Sequence, residues 1–218
     1  MKMNRMGAIK RVFEANPVGI AACLIIGRIY RGIINSLMAR SLHAPGLHLG
    51  PDCQVFGGRS ICFGRGVFAH SHLWLEAVTS YQSQRFNPRI TIGNYVSFSD
   101  RVHITSITSI VIGDHVLMGS GVFISDHNHG IYKGEGQSRP EEPPSQRQLG
   151  GGGPVSIGDN VWIGDNVVIL GPASIGSGAI IGANSVVRGI VPPNSMVAGA
   201  PARLVKAFDA EMGTWNRP

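Results

Sequence analysis

Aliphatic residues return at every sixth position along most of this chain. From Ile157 the series continues through Ile163, Ile169, Ile175, Ile181 and Val187. The same step runs earlier through Leu49, Val55, Ile61, Val67 and Leu73, and through Ile92, Phe98, Ile104 and Ile110, before a two-residue slip to Ile112. A period of six fits neither the helical period of about 3.6 nor the alternation of a half-exposed strand. It predicts short strands that turn a corner every six residues and stack coil upon coil as parallel ladders around a narrow aliphatic core.

The composition agrees with such a repeat. Glycine accounts for 30 of 218 residues and charged residues for only 15%, against usual shares of about 7% and about 25%. This balance excludes a disordered chain, and the lack of glycine at every third position excludes collagen. Because corners need positive φ, we expect the Gly-Asp and Gly-Asn pairs of the repeat to supply it.

Two stretches interrupt the period, residues 76–90 and residues 126–154. Unstructured loops longer than about 12–15 residues are uncommon and usually functional or disordered. The second stretch begins with Asp126-His127-Asn128-His129-Gly130 and ends in four glycines. A histidine held where a loop leaves a rigid coil can act as a general base near neutral pH. The first stretch, with Tyr81, is a candidate cover for a substrate.

The N-terminal part reads as helical over residues 8–42, with apolar residues at four-residue spacing and arginines among them. One interpretation is a helix that caps the end of the repeat. The other is a basic amphipathic helix resting on the inner face of a membrane. A transmembrane span is not predicted, because the longest apolar run, 18–26, has only nine residues before Arg28.

Net charge indicates the kind of binding partner, and cysteine content indicates the cellular compartment. The net charge of +6 favours anionic partners such as phosphorylated cofactors and lipid headgroups. No zinc-finger, helix-turn-helix or RNA-binding motif is present, so nucleic acid is not an expected partner. Three cysteines without CxxC spacing favour reduced thiols in the cytoplasm, and no pattern for a cleaved secretion signal follows the apolar run.

Three segments carry a resemblance to a known family: the Asp-His-Asn-His-Gly segment at 126–130, Ile-Gly-Asp-Asn-Val-Trp-Ile-Gly at 157–164, and Pro-Pro-Asn-Ser-Met-Val-Ala-Gly-Ala-Pro-Ala-Arg at 192–203. The chain resembles the hexapeptide-repeat acetyltransferases over roughly residues 47–206. Within them it is similar to the maltose and galactoside branch, and most similar to O-acetyltransferases of bacterial cell-surface polysaccharides.

The resemblance implies an all-β fold, a left-handed parallel β-helix with an N-terminal helix and a short C-terminal cap. Its handedness comes from the family alone, since the general preference is for right-handed crossovers. We expect a helical segment at 1–46, the β-helix at 47–206 with its two insertions, and the cap at 207–218.

The activity that the resemblance implies is O-acetylation of a sugar hydroxyl, with acetyl-CoA as donor, on a cell-surface polysaccharide or its lipid-linked precursor. Counting without gaps from Ile112 to the family's catalytic histidine reaches His129, and a gap of two residues would reach His127. Asp126 can orient an imidazole or cap the turn. Since no cysteine lies in a nucleophile motif, direct transfer is expected rather than an acyl-enzyme.

The resemblance also implies where the substrates bind. The pantetheine arm of acetyl-CoA is expected near Trp162, Gly164, Asp165, Gly182 and Ala183, although Trp162 can equally pack on the coil wall or a subunit interface. Candidate phosphate contacts are Arg188, Arg203 and Lys206. The family often has Thr-Lys where this chain has Arg188-Gly189, which displaces one cation. The acceptor saccharide is expected near Asp100, Arg101 and His103.

The family forms homotrimers with active sites between subunits, and we expect the same here, with a cytoplasmic location and a candidate peripheral contact with the inner membrane. No metal is expected, because the spacing of His127 and His129 is wrong for a γ-class carbonic anhydrase. That metalloenzyme class and a non-catalytic solenoid scaffold are the alternative functions.

Overall fold

The computed structural model describes residues 5–217, with side chains from residue 10 onward. Residues 1–4 of the predicted segment 1–46, and Pro218 of the predicted cap, lie outside the described residues. The chain begins with two helices, α1 (Arg5–Ala15) and α2 (Val18–Ser41), rather than one. Pro17 separates them, because proline lacks an amide hydrogen and disfavours helical backbone at the residue before it.

After α2, short parallel strands form three ladders, to which successive turns of the chain contribute. The first ladder contains β1 (His48–Leu49), β4 (Phe68–Ser71), β9 (Ser97–Asp100), β12 (Leu117–Met118), β17 (Trp162–Ile163), β19 (Ile180–Ile181) and β21 (Ser195–Ala198). The second contains β2 (Gln54–Phe56), β5 (Trp74–Ala77), β10 (His103–Ser106) and β13 (Phe123–Ser125), and the third β3 (Ile61–Phe63), β8 (Arg89–Ile92), β11 (Ser109–Ile112) and β16 (Val155–Ile157). Two long strands, β18 (Val168–Ile175) and β20 (Val186–Val191), turn the corner between the second and third ladders and belong to both of these.

The register explains both the six-residue period and its slip. Ile163 pairs with Ile181, and Ile157 with Ile175, so a late turn takes three hexapeptides. Earlier turns are two residues longer, since Phe98 pairs with Met118. Ile110 and Ile112 of β11 are both buried in the core, as are their register partners Val155 and Ile157. The slip is therefore a longer turn, and the coil continues through it.

The glycines of the Gly-Asp-Asn corners act differently from the expectation. Positive φ falls on the asparagine, 54° at Asn166, and not on Gly164. A Cβ on Gly164 would instead lie 2.7 Å from the backbone nitrogen of Ala183 in the next turn. These glycines allow the turns to approach closely, and the asparagines turn the corner.

Helix α2 covers the N-terminal end of the coil. The Asn35 carboxamide accepts from the Leu49 amide at 3.0 Å and donates to the Leu49 carbonyl at 3.1 Å. Met38, Ala39 and Leu42 pack against the core nearby. This pairing satisfies backbone groups of the first strand that would otherwise lack a partner at the end of the ladder.

Most of α2 is nevertheless exposed, and the helix is long enough for a membrane span, which the nine-residue apolar run did not predict. The helix has 24 residues and a mean hydropathy of 1.5, which by length and composition alone suffice to cross a membrane. Exposed apolar side chains include Ile26, Ile29 and Ile33. The interruption by Arg28 hid this feature, because the apolar character resumes beyond it.

The C-terminal end is closed by antiparallel strands, β22 (Arg203–Asp209) and β23 (Thr214–Asn216). Strand β22 pairs antiparallel with β21, so the parallel pairing of the coil ends with β21. The two interruptions carry small antiparallel pairs, β6 (Ser80–Tyr81) with β7 (Gln84–Arg85), and β14 (Asn128–His129) with β15 (Leu149–Gly150). Short 3₁₀ turns occur at Gly58–Ser60 and Pro144–Gln146.

Candidate active site

Asp126 is a buried carboxylate at the point where the long insertion leaves the second ladder. Its side chain is fully enclosed and accepts hydrogen bonds from the hydroxyls of Ser106 (2.6 Å) and Thr108 (2.7 Å). The amides of Ile107, Thr108 and Ser109 donate at 2.8–2.9 Å. Burial by itself raises the pKa of Asp126, but the hydrogen bonds from His127 and these groups hold the pKa well below its ordinary range. The carboxylate is thus ionised at neutral pH.

The two histidines differ in their surroundings. His127 Nδ1 lies 3.0 Å from Asp126 Oδ1, and its side chain is only 8% exposed. His129 is exposed on β14, and its Nδ1 lies 3.4 Å from the Tyr81 hydroxyl. A carboxylate on Nδ1 fixes the tautomer that leaves Nε2 unprotonated, and it stabilises the imidazolium formed when Nε2 accepts a proton. Of the two, only His127 has that partner.

Both histidines line one cavity of about 360 Å³ on the outer face of the second ladder. Its floor is formed by β5, β10 and β13, which contribute His103 among others. Its wall comes from the two insertions, which are tied together because Tyr81 donates to the Ser145 carbonyl (2.6 Å) and the Leu149 amide donates to Gln84 (2.8 Å). Burial lowers the pKa of His103, an effect that Glu76 opposes and His127 reinforces.

The other two expected acceptor residues lie elsewhere. Asp100 accepts from Ser71 Oγ at 2.5 Å and contacts His72 Nδ1 at 2.8 Å, at the end of a first-ladder strand. Arg101 follows with a φ of 54° and contacts Asp100. Only His103 of the three reaches the cavity that holds the histidines. The corner at Arg101 separates them, because strands on either side of it belong to different ladders.

A second, larger cavity of about 620 Å³ lies on the first ladder. It brings together the five residues expected to hold the pantetheine arm: Trp162, Gly164, Asp165, Gly182 and Ala183. Trp162 is 53% exposed and so remains available to a ligand. The carboxylate of Asp165 already accepts from the Ser120 amide at 2.6 Å, which ties two turns of the coil together.

The expected phosphate contacts divide into two places. Arg203 and Lys206 lie on β22 and pair with Ala198 and Met196, which line the larger cavity. Arg188 and Gly189 lie on β20, which belongs to other ladders, and they do not line it. Arg188, the cation displaced by one position relative to the family's Thr-Lys pair, thus lies away from this cavity.

Several residues around the Asp126–His127 pair were not predicted from the sequence. Ser106 and Thr108 hold Asp126, and Trp74, Glu76 and Phe123 line the histidine cavity. Trp74 and Phe123 are the direct register partners of His103, which was predicted from the sequence. Identifying these partners from the sequence requires the length of each turn of the coil.

Among the described residues, 5–217, no group of three or more His, Cys, Asp or Glu side chains is placed to hold a metal ion. The linings of the two cavities, as described, contain no cysteine. Burial raises the pKa of the Cys53 thiol, which disfavours a thiolate at Cys53.

Comparison with known proteins decides the family. A model described as bacterial transferase hexapeptide (six repeats) matches residues 154–189. The chain is also 44% identical over 166 residues to WbbJ of Escherichia coli (strain K12), an inferred O-acetyl transferase of lipopolysaccharide biosynthesis, with 76% of this chain and 81% of WbbJ covered. The chain belongs to the hexapeptide-repeat acetyltransferases. The resemblance read from the sequence is confirmed.

Other hexapeptide-repeat acetyltransferases and related structures agree. The galactoside O-acetyltransferase of Escherichia coli (strain K12) is 33% identical over 141 residues, covering 62% of this chain and 61% of that protein. The acetyltransferase VCA0836 of Vibrio cholerae O1 biovar eltor, solved with acetyl-CoA, superposes with a TM-score of 0.51 at 26% identity over 80% of this chain and 76% of that one. AntD, an N-acyltransferase from Bacillus cereus, shares the fold with a TM-score of 0.62 at 19% identity, over 78% and 84% of the two chains.

Proposed function

We propose that this acetyltransferase moves the acetyl group of acetyl-CoA to a hydroxyl of a saccharide, part of a cell-surface polysaccharide or its lipid-linked precursor. The observation that carries the proposal is the enclosed Asp126–His127 pair, which opens into a cavity large enough for a sugar. The names of its relatives WbbJ and galactoside O-acetyltransferase support sugar O-acetylation.

The general base in this proposal is His127, with His129 as the alternative that the sequence count ranked first. His127 Nε2 takes the proton from the acceptor hydroxyl as the hydroxyl oxygen attacks the thioester carbonyl. The carbon–sulfur bond then breaks, and the imidazolium returns the proton to the departing sulfur, which leaves as the thiol. Asp126 stabilises the imidazolium that forms, because it remains ionised. The position of His129 near Tyr81 suits contact with the acceptor instead.

Acetyl-CoA binds, in this proposal, along the cavity of the first ladder. The exposed Trp162 indole gives an apolar wall for the pantetheine arm, and the small side chains at Gly182 and Ala183 allow close approach. Arg203 and Lys206 are positioned by β22 to meet the phosphates. Arg188 and Gly189 are left as candidates for the far end of the nucleotide.

The proposed assembly is a homotrimer of left-handed β-helices with active sites between subunits. Within one chain, the base and the cofactor cavity lie on different ladders. A neighbouring subunit whose first-ladder cavity faces the histidine cavity of this one across an open cleft would bring both substrates together. Cyclic symmetry closes such a heterologous contact into a ring.

The proposed location is the cytoplasm, with α2 in peripheral contact with the inner membrane. The helix exposes apolar side chains, including Ile29 (60%) and Ile33 (57%), and carries three arginines among them. Anionic lipid attracts such a helix through both features. We expect the full-length protein to sediment with anionic vesicles, and I29D/I33D to lose this property. Ile190→Asp, at an apolar position 83% exposed on the coil, is the matched control. Equal sedimentation of all three proteins would exclude the contact.

The proposed function is tested by incubating the protein with labelled acetyl-CoA and a panel of bacterial surface saccharides. Transfer of label to a sugar hydroxyl, abolished by His127→Ala, is the expected result. Absence of transfer to every saccharide, or label moving only to amines, would overturn the proposal. Binding of acetyl-CoA by calorimetry separates an enzyme from a non-catalytic scaffold.

A further inference from the structure

Four aromatic rings lie in an unbroken row on the outer face of the second ladder. The ring centroids of Phe56 and Trp74 are 5.0 Å apart, those of Trp74 and His103 5.8 Å, and those of His103 and Phe123 5.1 Å. Trp74, His103 and Phe123 are direct register partners on β5, β10 and β13, whereas Phe56 is the register partner of Glu76 and meets Trp74 diagonally. We call these four residues the aromatic row.

The aromatic row leads away from the proposed base. Phe123 lies on the strand that precedes His127, and the next strand partner of Phe123 on the other side is the aliphatic Val168. His103, Trp74 and Phe56 follow on successive strands toward the N-terminal end of the coil. Trp74 is 37% exposed and Phe56 is 41% exposed. Exposed aromatic rings arranged in this way are typical of binding surfaces.

A second, polar column runs beside the aromatic row. Glu76, Thr105 and Ser125 occupy the same strands two residues later, and therefore the same face. They line the histidine cavity together with three rings of the row. Glu76 also accepts from the Trp74 indole nitrogen at 2.9 Å, which fixes the orientation of that ring.

This combination matches the chemistry of a pyranose. A sugar ring presents an apolar face of C–H groups, which packs on aromatic rings, and an edge of hydroxyls, which needs acceptors and donors. Parallel strands repeat at about 4.8 Å, a spacing comparable to one sugar unit in an extended glycan. Successive rings of the row therefore offer places for successive sugars.

The charge of the cavity disfavours a nucleotide sugar. Its lining, as described, contains no lysine or arginine, and Glu76 adds a carboxylate. A diphosphate bound there would meet no permanently cationic side chain and would face the negative charge of Glu76.

We propose that the aromatic row is an acceptor subsite for a glycan of several linked sugars, which lies lengthwise along it with one unit at His127. This inference rests on the proposed function and names its substrate class: the acceptor is an assembled oligosaccharide, and neither a free monosaccharide nor a nucleotide-activated one.

The test uses the full-length protein and a printed array of bacterial surface glycans that presents each sugar as monosaccharide, disaccharide, tetrasaccharide and nucleotide derivative. We expect tetrasaccharides to bind at least tenfold more tightly than the matching monosaccharides. Trp74→Ala is expected to lower the ratio of tetrasaccharide to monosaccharide affinity about tenfold, which is the size of effect expected for one lost aromatic contact. Trp74→Phe should retain most of this ratio. Phe56→Ala, at the far end, should weaken tetrasaccharides more than disaccharides.

Tyr95→Ala is the matched control, because Tyr95 also stacks on a histidine, His115, at 5.2 Å, but lines a different cavity. Circular dichroism and light scattering of each variant accompany the binding data. The proposal is overturned by equal binding of all lengths, by a preference for nucleotide sugars, by no glycan binding at all, or by an unaltered preference in Trp74→Ala. Dissociation of an oligomer by Trp74→Ala would assign the row to a second copy of the chain and would also overturn it.

Acetyl transfer to the same saccharides separates this inference from the proposed function. Transfer without any dependence on glycan length would remove the subsite and leave the acetyltransferase function intact. Length-dependent binding without transfer to any saccharide would remove the proposed function and leave the aromatic row as a glycan site.

Discussion

His127 Nδ1 lies 3.0 Å from Oδ1 of its sequence neighbour Asp126, and that carboxylate is enclosed by donors from the preceding turn of the coil. The chain leaves the rigid ladder at this point. Donors at residues 106–109 hold the Asp126 side chain, and the Gly153 amide holds the Asp126 carbonyl.

Loss of the proposed base should affect turnover far more than loss of its exposed neighbour. We expect His127→Ala to lower kcat by a factor of about 10²–10⁴, the usual contribution of a general base. His129→Ala should stay within a few-fold of the parent, because no carboxylate pairs with the His129 imidazole among its described contacts. Initial rates at saturating acetyl-CoA check this. The reverse order of losses would transfer the role to His129.

Asp126→Asn should lower both activity and stability. The substitution places an amide NH₂ group among donors, and a buried polar group left without its partner costs about 1–3 kcal/mol. The pKa of Asp126 is lower in the folded protein than in the unfolded chain. Its carboxylate therefore adds stability that is fully present above about pH 4, near the unfolded pKa, and is lost as pH falls through the folded pKa. The Tm difference between parent and variant should thus be largest at neutral pH and shrink below about pH 4. A difference that does not change with pH would contradict this account.

Gly152 is expected to be necessary for the position of His127. A Cβ at this residue would collide with the Asp126 carbonyl oxygen and lie 2.8 Å from the His127 Cα. Gly152→Ala should therefore displace the base and reduce kcat by tenfold or more, with a stability loss of about 1–3 kcal/mol. Gly32→Ala in α2, where a Cβ meets nothing within 4 Å, serves as the control. Parent-like kinetics in Gly152→Ala would show that the loop adjusts freely.

Trp162→Ala tests the cavity proposed for acetyl-CoA. Removing the exposed indole takes away an apolar wall of that cavity, so the KM for acetyl-CoA should rise about tenfold, while the KM for the saccharide stays near its parent value. Trp215→Ala removes a tryptophan that packs on Phe208 in the C-terminal hairpin, outside the cavity lining. An unchanged KM for acetyl-CoA in Trp162→Ala would favour the interpretation that Trp162 only packs on the coil or an interface.

The cap made by Asn35 should be measurable in stability alone. Asn35→Ala leaves the buried amide and carbonyl of Leu49 without their side-chain partner, and each unsatisfied group costs about 1–3 kcal/mol. Chemical denaturation should show this loss, whereas Ser36→Ala, at the exposed next position of the same helix, should change stability by less than about 0.5 kcal/mol. Comparable values for both variants would mean that α2 does not stabilise the coil through this contact.

The sequence by itself determined the repeat and the family, and it indicated residues 126–130 as the root of a candidate site. Period, corner residues and interruptions are local properties, because each hexapeptide meets the same environment as the one before it. The resemblance to the family grouped the five residues around Trp162. The structure places them together because Gly164 and Asp165 lie one turn of three hexapeptides before Gly182 and Ala183.

Only the tertiary structure decided how unequal turns align. It separated Asp100 and Arg101 from His103, placed Arg188 away from the larger cavity, and brought Trp74, His103 and Phe123 into one row. It also enclosed Asp126 with hydroxyls and amides almost twenty residues earlier. Neighbours across ladders depend on the exact length of every intervening turn and insertion. A two-residue change in one turn alters which side chains meet while leaving the six-residue pattern almost intact.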